Sequence, residues 1–127
     1  MLYVKTKLAP SEIHGIGLFA DEFIPKGAVI WKFTSGFDLK FTEEEISRLP
    51  KQAQEYLSIY SYLSLKSGLR ISPVDNGKYI NHSETPNTLS QHSDYEEEVL
   101  TYAIIDIQVG EEITENYHSF EDWDGKF

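Results

Sequence analysis

Apolar and polar positions alternate in short runs along most of the chain and take up a helical spacing only near its middle. Tyr3-Val4-Lys5-Thr6 alternates, Gly17-Leu18-Phe19-Ala20 follows a glycine turn, and Ala28-Val29-Ile30-Trp31-Lys32-Phe33 is rich in β-branched and aromatic side chains. Runs of that length and composition predict strands, with Pro25-Lys26-Gly27 turning the chain into the third. From Tyr60 the alternation resumes. Tyr60-Ser61-Tyr62-Leu63-Ser64-Leu65 and Leu69-Arg70-Ile71 are predicted strands around a Ser67-Gly68 turn, which puts Tyr60 and Tyr62 on one face. Asn76-Gly77, two residues that tolerate positive φ, predicts a tight hairpin that delivers Lys78-Tyr79-Ile80 as a strand. Val99 to Ile107 is the longest strand candidate, and Val109-Gly110-Glu111 turns it into Ile113-Thr114.

One stretch breaks this rhythm. In Thr42-Glu43-Glu44-Glu45 the Thr42 hydroxyl can accept from the Glu45 amide while the Glu45 carboxylate reaches back, with Phe41 and Ile46 at staple positions, so a helix is predicted to start there. Three glutamates in a first turn also suit the positive end of the helix dipole, which makes this acidic run a helix start rather than a metal site. Pro50 is expected to end the helix, and Lys51 to Ser58 forms a second helical piece with Tyr56 and Leu57 facing inward. The elements sum to one β-dominated, irregular domain over residues 1–127, with a helical insertion at about 42–58. No repeat, low-complexity tract or linker divides it, and a doubly wound α/β fold does not fit.

Composition narrows the classes of function. A chain of 127 residues can bury a core without staples, and with no cysteine it offers neither thiolate chemistry nor cysteine-bound zinc. Asp and Glu number 21 against 11 Lys and Arg, a balance of −10. That charge opposes direct nucleic-acid binding and attracts cationic partners. The opening MLYVKTKLAPSEIH has no apolar h-region, and no run approaches the ~18 residues of a membrane span, so a soluble, cytoplasmic protein is expected. Asn81-His82-Ser83 would be a glycosylation acceptor only in a secreted chain, for which nothing here speaks.

The polar cluster in KYINHSETPNT, Lys78 to Thr88, is the main candidate for chemistry. A triad of Ser83, His82 and Asp75 fails, because neighbours on extended backbone point to opposite faces and no G-x-S-x-G elbow surrounds the serine. His14, His82, His92 and His118 stand at no spacing that gathers metal ligands locally, and no metal site is expected unless the tertiary fold assembles one. Gly15 and Gly17 lack the third glycine of a dinucleotide loop. They supply backbone without Cβ, which serves either a tight turn or a surface where a flat ligand can lie against amides. Gly110 to Tyr117, alone, reads as a turn and strand ending in a core tyrosine.

Taken in order, G-x-G-x-F-A at Gly15–Ala20, N-H-S-x-x-P-N at Asn81–Asn87 and G-E-E-I-T-x-x-Y at Gly110–Tyr117 resemble the SET domain of protein lysine methyltransferases. Ile24-Pro25-Lys26-Gly27 and Ile105 to Gly110 also look like that family's connecting turns, so the similarity runs from Gly15 to Tyr117. It implies a mainly β, β-clip-like fold of small twisted sheets around a pseudoknot, in which the Asn81-His82 strand and the segment ending at Tyr117 thread together. It implies S-adenosylmethionine held by the backbone at Gly15, Ile16, Gly17 and Leu18 and by Asn81 and His82, with Tyr117 as the catalytic tyrosine beside the cofactor. The activity implied is methyl transfer to the ε-amine of a lysine in a basic, histone-like protein.

Three departures qualify the resemblance. Glu84 stands where the longest-studied members have cysteine, so the zinc-bound cap of those members is absent and the chain resembles the small stand-alone bacterial or viral type. Phe120 and Trp123, in the tail 118–127, are the candidates to cover the cofactor, or else they pin the C-terminus. Glu115 and Thr34 replace two aromatic residues of the family, which leaves Tyr60, Tyr62 and Glu115 as the substrate-channel candidates. The same two replacements suit an alternative, a catalytically impaired module that binds cofactor or peptide. A homodimer that completes the missing cap is a third arrangement, and a viral or intracellular bacterial source would place the protein in a host nucleus.

Overall fold

The computed structural model describes residues 1–119. Strands β1 (Thr6–Pro10), β2 (Ile16–Ala20), β3 (Val29–Lys32) and β4 (Leu39–Phe41) lead into helices α1 (Glu43–Ser47) and α2 (Lys51–Tyr60). Then come β5 (Tyr62–Leu63), β6 (Arg70–Ser72), a 3₁₀ turn at Asn76–Tyr79, β7 (Asn81–His82), β8 (Thr88–Gln91), β9 (Leu100–Ala103), β10 (Thr114–Glu115) and a second 3₁₀ turn at Tyr117–Ser119. The strands form four small sheets: β1-β2, β3-β9-β8, β4-β6-β5 and the parallel pair β10-β7. The architecture is mainly β with a helical insertion, as the sequence predicts. Among the described residues no helix is long and apolar enough to cross a membrane.

The main core gathers Leu18, Ala20, Ile24, Ile30, Ile80, Ala103, Ile107 and Ile113. Each leucine and isoleucine among them contributes about 1.5–3 kcal/mol on full burial. It is drawn from both ends of the chain, because the stretch 105–113 returns along β2 and its following turn. Ile24 and Ile107 exchange backbone hydrogen bonds at 2.8 and 2.9 Å, Gly110 N–H donates to Ala20 O at 2.8 Å, and Ile113 N–H to Leu18 O at 2.8 Å. The two connecting turns seen in the sequence therefore lay the Gly110–Tyr117 segment on the glycine-bearing strand.

From there the segment crosses β7. Asn81 pairs with Thr114 and His82 with Glu115, and Ser83 N–H adds a bond to Glu115 O at 2.9 Å. On the other flank Asn87 acts as a piece of strand: its Nδ2 donates to Glu112 O at 2.8 Å and its Oδ1 accepts from Thr114 N–H at 2.9 Å. Thr88 Oγ1 donates to Thr114 O at 2.7 Å. A buried backbone needs partners for all its polar groups. Here the side chains of 87–88 supply them, which is why a strand entering the core turns polar so abruptly.

The capping box at Thr42 and Glu45 forms as read from the sequence, with both reciprocal bonds present. Other expectations change. Tyr60 belongs to α2, whose end is closed by Ser61 N–H donating to Leu57 O at 3.1 Å, so Tyr60 and Tyr62 do not share a strand face. Leu57 is buried, but Tyr56 is 40% exposed and does not face inward.

Asn76-Gly77 forms no hairpin. It opens a 3₁₀ turn capped by Asp75, which accepts Gly77 N–H at 3.0 Å and Leu2 N–H at 2.7 Å. Gly77 is required there for space, since a Cβ would lie 2.6 Å from Cδ1 of Trp31. The expected strand Lys78-Tyr79-Ile80 does not form: Lys78 and Tyr79 belong to the turn, Ile80 closes it, and strand pairing starts only at Asn81-His82. The Val99–Ile107 strand stops at Ala103, whose carbonyl accepts from Gly27 at 2.7 Å while Ile104 N–H turns to Asn87 O at 3.0 Å. The first strand likewise begins at Thr6, with Leu2 bridged instead to Trp31.

Candidate functional site

Gly15 sits at φ +46°, in the left-handed region that glycine adopts without strain, and its carbonyl accepts from Ser11 N–H at 2.8 Å to close the loop before β2. The space beside Gly15 is open, and Ile16 is half exposed. Gly17 answers a different demand. A Cβ there would come 2.4 Å from Glu112 Oε2 and 3.0 Å from Ser11 Cβ.

Glu112 is the hub of this loop. Both its oxygens lie 2.9 Å from the Ser11 hydroxyl, and Oε2 accepts from Asn81 Nδ2 at 3.0 Å. The Ser11 oxygen in turn accepts from Ile13 N–H at 2.9 Å. Asn81 Nδ2 also reaches His14 O at 3.1 Å and Ile16 O at 3.3 Å. The three motifs thus meet physically: the second glutamate of the last one and the asparagine of the middle one hold the glycine loop of the first. Asn81 builds the loop with its side-chain nitrogen. Leu18 is fully buried in the core, and its carbonyl is taken by Ile113.

Tyr117 is almost fully buried and packed with Val99 and Tyr62. Its hydroxyl donates to Ile80 O at 2.5 Å, and its backbone N–H donates to His82 Nδ1 at 3.1 Å. The two rings lie 5.2 Å apart, tilted by 60°. Because Nδ1 offers its lone pair to Tyr117, the proton of neutral His82 sits on Nε2, which donates to Glu84 at 3.0 Å. Glu84, marked in the sequence only as a missing cysteine, is therefore a hydrogen-bond partner of the site.

The fold also brings His118 to the group, its ring edge-on to His82 at 5.6 Å. Ligand atoms of His82, Glu84 and His118 all come within 4.8 Å of one another. The two histidines are distant in sequence and are gathered by the fold, yet the tautomer argues against a cation: Nε2 carries a proton toward Glu84 and has no lone pair to give. Within the cluster His82 and Glu84 are hydrogen-bonded and His118 adds a ring contact.

Of the channel candidates, Tyr62 lies beside Tyr117 and Tyr60 does not. The Tyr60 ring faces Tyr56 and Tyr79, with centroids 5.0 and 5.6 Å away, around the Lys78 ammonium. Glu115 is half-buried, with Oε2 3.5 Å from Ser90 Oγ. Phe120 and Trp123 lie outside the described residues. Thr34 bonds its hydroxyl to Lys32 O at 3.2 Å in a turn of its own.

Sequence reasoning missed Glu98. It is 1% exposed, bonded by Ser64 Oγ at 2.5 Å and by Lys40 Nζ at 3.0 Å, and its neighbour Val99 packs in one cluster with Tyr117. Burial alone would push its carboxyl up, but hydrogen bonds from Ser64, Ser67 and Lys40 outweigh that and hold it below the usual carboxylate range. Burial likewise opposes the charge on Lys40, and the two glutamates at 97 and 98 overcome it and raise the amine. Nothing local distinguishes Glu98 from Glu96 and Glu97.

A family model for the SET domain matches residues 15–118. Among solved structures, a Plasmodium falciparum protein provisionally named a histone methyltransferase superimposes with a TM-score of 0.62 at 24% identity, over 91% of this chain and 95% of that one. Chaetomium thermophilum Polycomb Repressive Complex 2, in an autoinhibited conformation bound to S-adenosylmethionine, gives a TM-score of 0.69 at 25% identity, over 94% of this chain and 16% of that one. An active polycomb repressive complex 2 in the basal state gives 0.68 at 26%, over 90% and 15%. The chain thus spans less than a fifth of the polycomb chains it matches. No curated protein sequence matches it significantly.

Proposed function

The chain belongs to the SET-domain family, and from that premise we propose that it transfers methyl groups from S-adenosylmethionine to the ε-amine of a lysine in a basic, histone-like protein. The observation that carries the reading is the double hold on Tyr117, hydroxyl on Ile80 O and N–H on His82 Nδ1, at the point where Asn81 and Glu112 fasten the glycine loop.

The residues suit such a donor. An open glycine, a half-exposed Ile16 and the extended backbone of β7 make a surface for a flat heterocycle, and carbonyls with a tyrosine ring suit a sulfonium cation. Gly15, Ile16, Gly17, Asn81, His82 and Tyr117 would hold it. When bound, it supplies an electrophilic methyl group.

What the chain must supply is a neutral amine, aligned. Taking a lysine from its unperturbed pKa of ~10.4 to the free base at pH 7 costs about 4–5 kcal/mol. The apolar cluster of Tyr62, Val99 and Tyr117 disfavours an ammonium placed against it by excluding water. Tyr117, its hydroxyl already oriented by Ile80, fixes the line of approach and polarises the amine, and no strong base is needed. The chain's net charge of −10 favours capture of a basic segment.

The test is incubation with methyl-labelled donor and a panel of basic proteins. Transfer that Tyr117→Phe removes supports the reading; absence of transfer to every acceptor refutes it. The half-buried Glu115 carboxylate favours a second reading, a module that binds donor or peptide without turnover, because a carboxylate near the amine stabilises its charged form. Calorimetric binding without transfer would select that one.

A further inference from the structure

Helix α2 ends against the 3₁₀ turn at Asn76–Tyr79, and Lys78 makes the joint. Its Nζ donates to the Tyr56 hydroxyl at 2.8 Å and lies 5.4, 5.9 and 5.6 Å from the ring centroids of Tyr56, Tyr60 and Tyr79. An ammonium over several aromatic faces within 6 Å is attracted by each ring's quadrupole. The bond to Tyr56, ahead of partial burial, holds the Lys78 amine above its usual range.

The joint explains two otherwise awkward features. Tyr56 stays on the surface because its ring and hydroxyl serve Lys78, and α2, which buries only Leu57 among its described residues, needs a second anchor. The joint also lies next to the site in the chain. Two residues beyond Lys78, the Ile80 carbonyl holds the Tyr117 hydroxyl. The other end of the turn is fixed by Asp75 and by Trp31 against Gly77. On the side of the site Lys78 anchors the turn together with Ile80, whose side chain is buried in the core.

We propose that Lys78 is a positioning residue: its clamp on Tyr56, Tyr60 and Tyr79 fixes segment 78–80 against α2 and so sets where the Ile80 carbonyl holds Tyr117. The proposal rests on the role assigned to Tyr117 above, and its test separates the two.

Protein carrying tyrosine labelled with ¹³C at the ring carbons next to the hydroxyl is compared as wild type, Lys78→Met, Lys78→Arg and Tyr56→Phe, with Tyr117→Phe identifying the Tyr117 signal. Lys78→Met keeps the stem and loses the charge, and it is expected to shift and broaden that signal. Tyr56→Phe should do so less, and Lys78→Arg should restore it. In turnover, kcat is expected to fall about tenfold in Lys78→Met with KM for the donor within about twofold, and to recover in Lys78→Arg.

If Lys78→Met does not fold, Tyr56→Phe carries the same comparison. An unchanged Tyr117 signal in the folded variants overturns the proposal, with or without turnover. A signal that moves in a wild-type background that transfers no methyl leaves the clamp standing and removes the methyltransferase reading.

Discussion

Glu112 fills the space that a side chain on Gly17 would need, its Oε2 standing 2.4 Å from where the Cβ would be. A flexible glutamate tip could swing aside, but this one is held by Ser11 and Asn81. Gly17→Ala should therefore displace Glu112 and loosen the loop at Gly15. The expected loss is about 1–3 kcal/mol in urea unfolding, as for other overpacked sites. Combined with Glu112→Ala, which makes room for the methyl group, the effect should be clearly less than additive. Strict additivity would mean that the two residues do not compete for that space.

Tyr117→Phe isolates the hydroxyl. It leaves the ring against Val99 and Tyr62 and deprives the buried Ile80 carbonyl of a donor. A stability loss of about 1–3 kcal/mol follows from an unsatisfied buried acceptor. Turnover should fall by at least about a hundredfold, the scale of removing one oriented polar group from a reacting centre. Melting curves and initial rates measured on one preparation separate the two effects. A variant that melts lower but reacts as fast would remove Tyr117 from the chemistry.

The three motifs were legible because their residues interact with one another, Asn81 and Glu112 with the Gly15–Gly17 loop, so each motif is half of a contact. The capping box was legible because Thr42 and Glu45 need nothing beyond their own turn. Asn76-Gly77 misled for the opposite reason: its local preference for a hairpin lost to a tryptophan on β3 that occupies the space beside Gly77. Tyr60 misled because alternation across Tyr60 to Leu65 looks the same whether or not a helix closes at Ser61. Glu98 was invisible. Three consecutive glutamates have one local pattern, and only the strand and turn opposite, carrying Lys40 and Ser64, bury the third of them.

That burial makes an acid limb of stability. Glu98's carboxyl is lower in the folded chain than its unfolded value of about 4.3, so it contributes stability above that pH and loses it as the pH falls through the folded pKa. Lys40 is raised, so its contribution persists until the pH rises through its own folded pKa. Glu98→Gln keeps a partner for Ser64 and leaves Lys40 without its buried counter-charge. With Glu97 still beside Lys40, a loss of about 1.5–3 kcal/mol at pH 7 is expected, the scale of a hydrogen bond to a charged group, with a flatter decline than wild type below about pH 4. Urea midpoints measured from neutral to acid pH decide this, and parallel curves for the two proteins would contradict it.

Glu115 offers the sharpest test of how the pocket treats its substrate. It pairs with His82 in the strand that leads to Tyr117, two residues before the tyrosine, and its carboxylate is half-buried near Ser90. Methyl transfer needs the free amine, so the rate with a lysine substrate should rise from neutral toward alkaline pH. A carboxylate in the pocket stabilises the ammonium and moves that rise to higher pH. Removing the charge with Glu115→Gln should therefore shift the rising limb of kcat downward in pH and increase the rate near pH 7, provided chemistry is the slow step. The shape of the group is kept, so a packing role would leave the profile in place. An unmoved limb would place Glu115 outside the lysine pocket, and a limb moved upward would mean that the carboxylate assists deprotonation rather than opposing it.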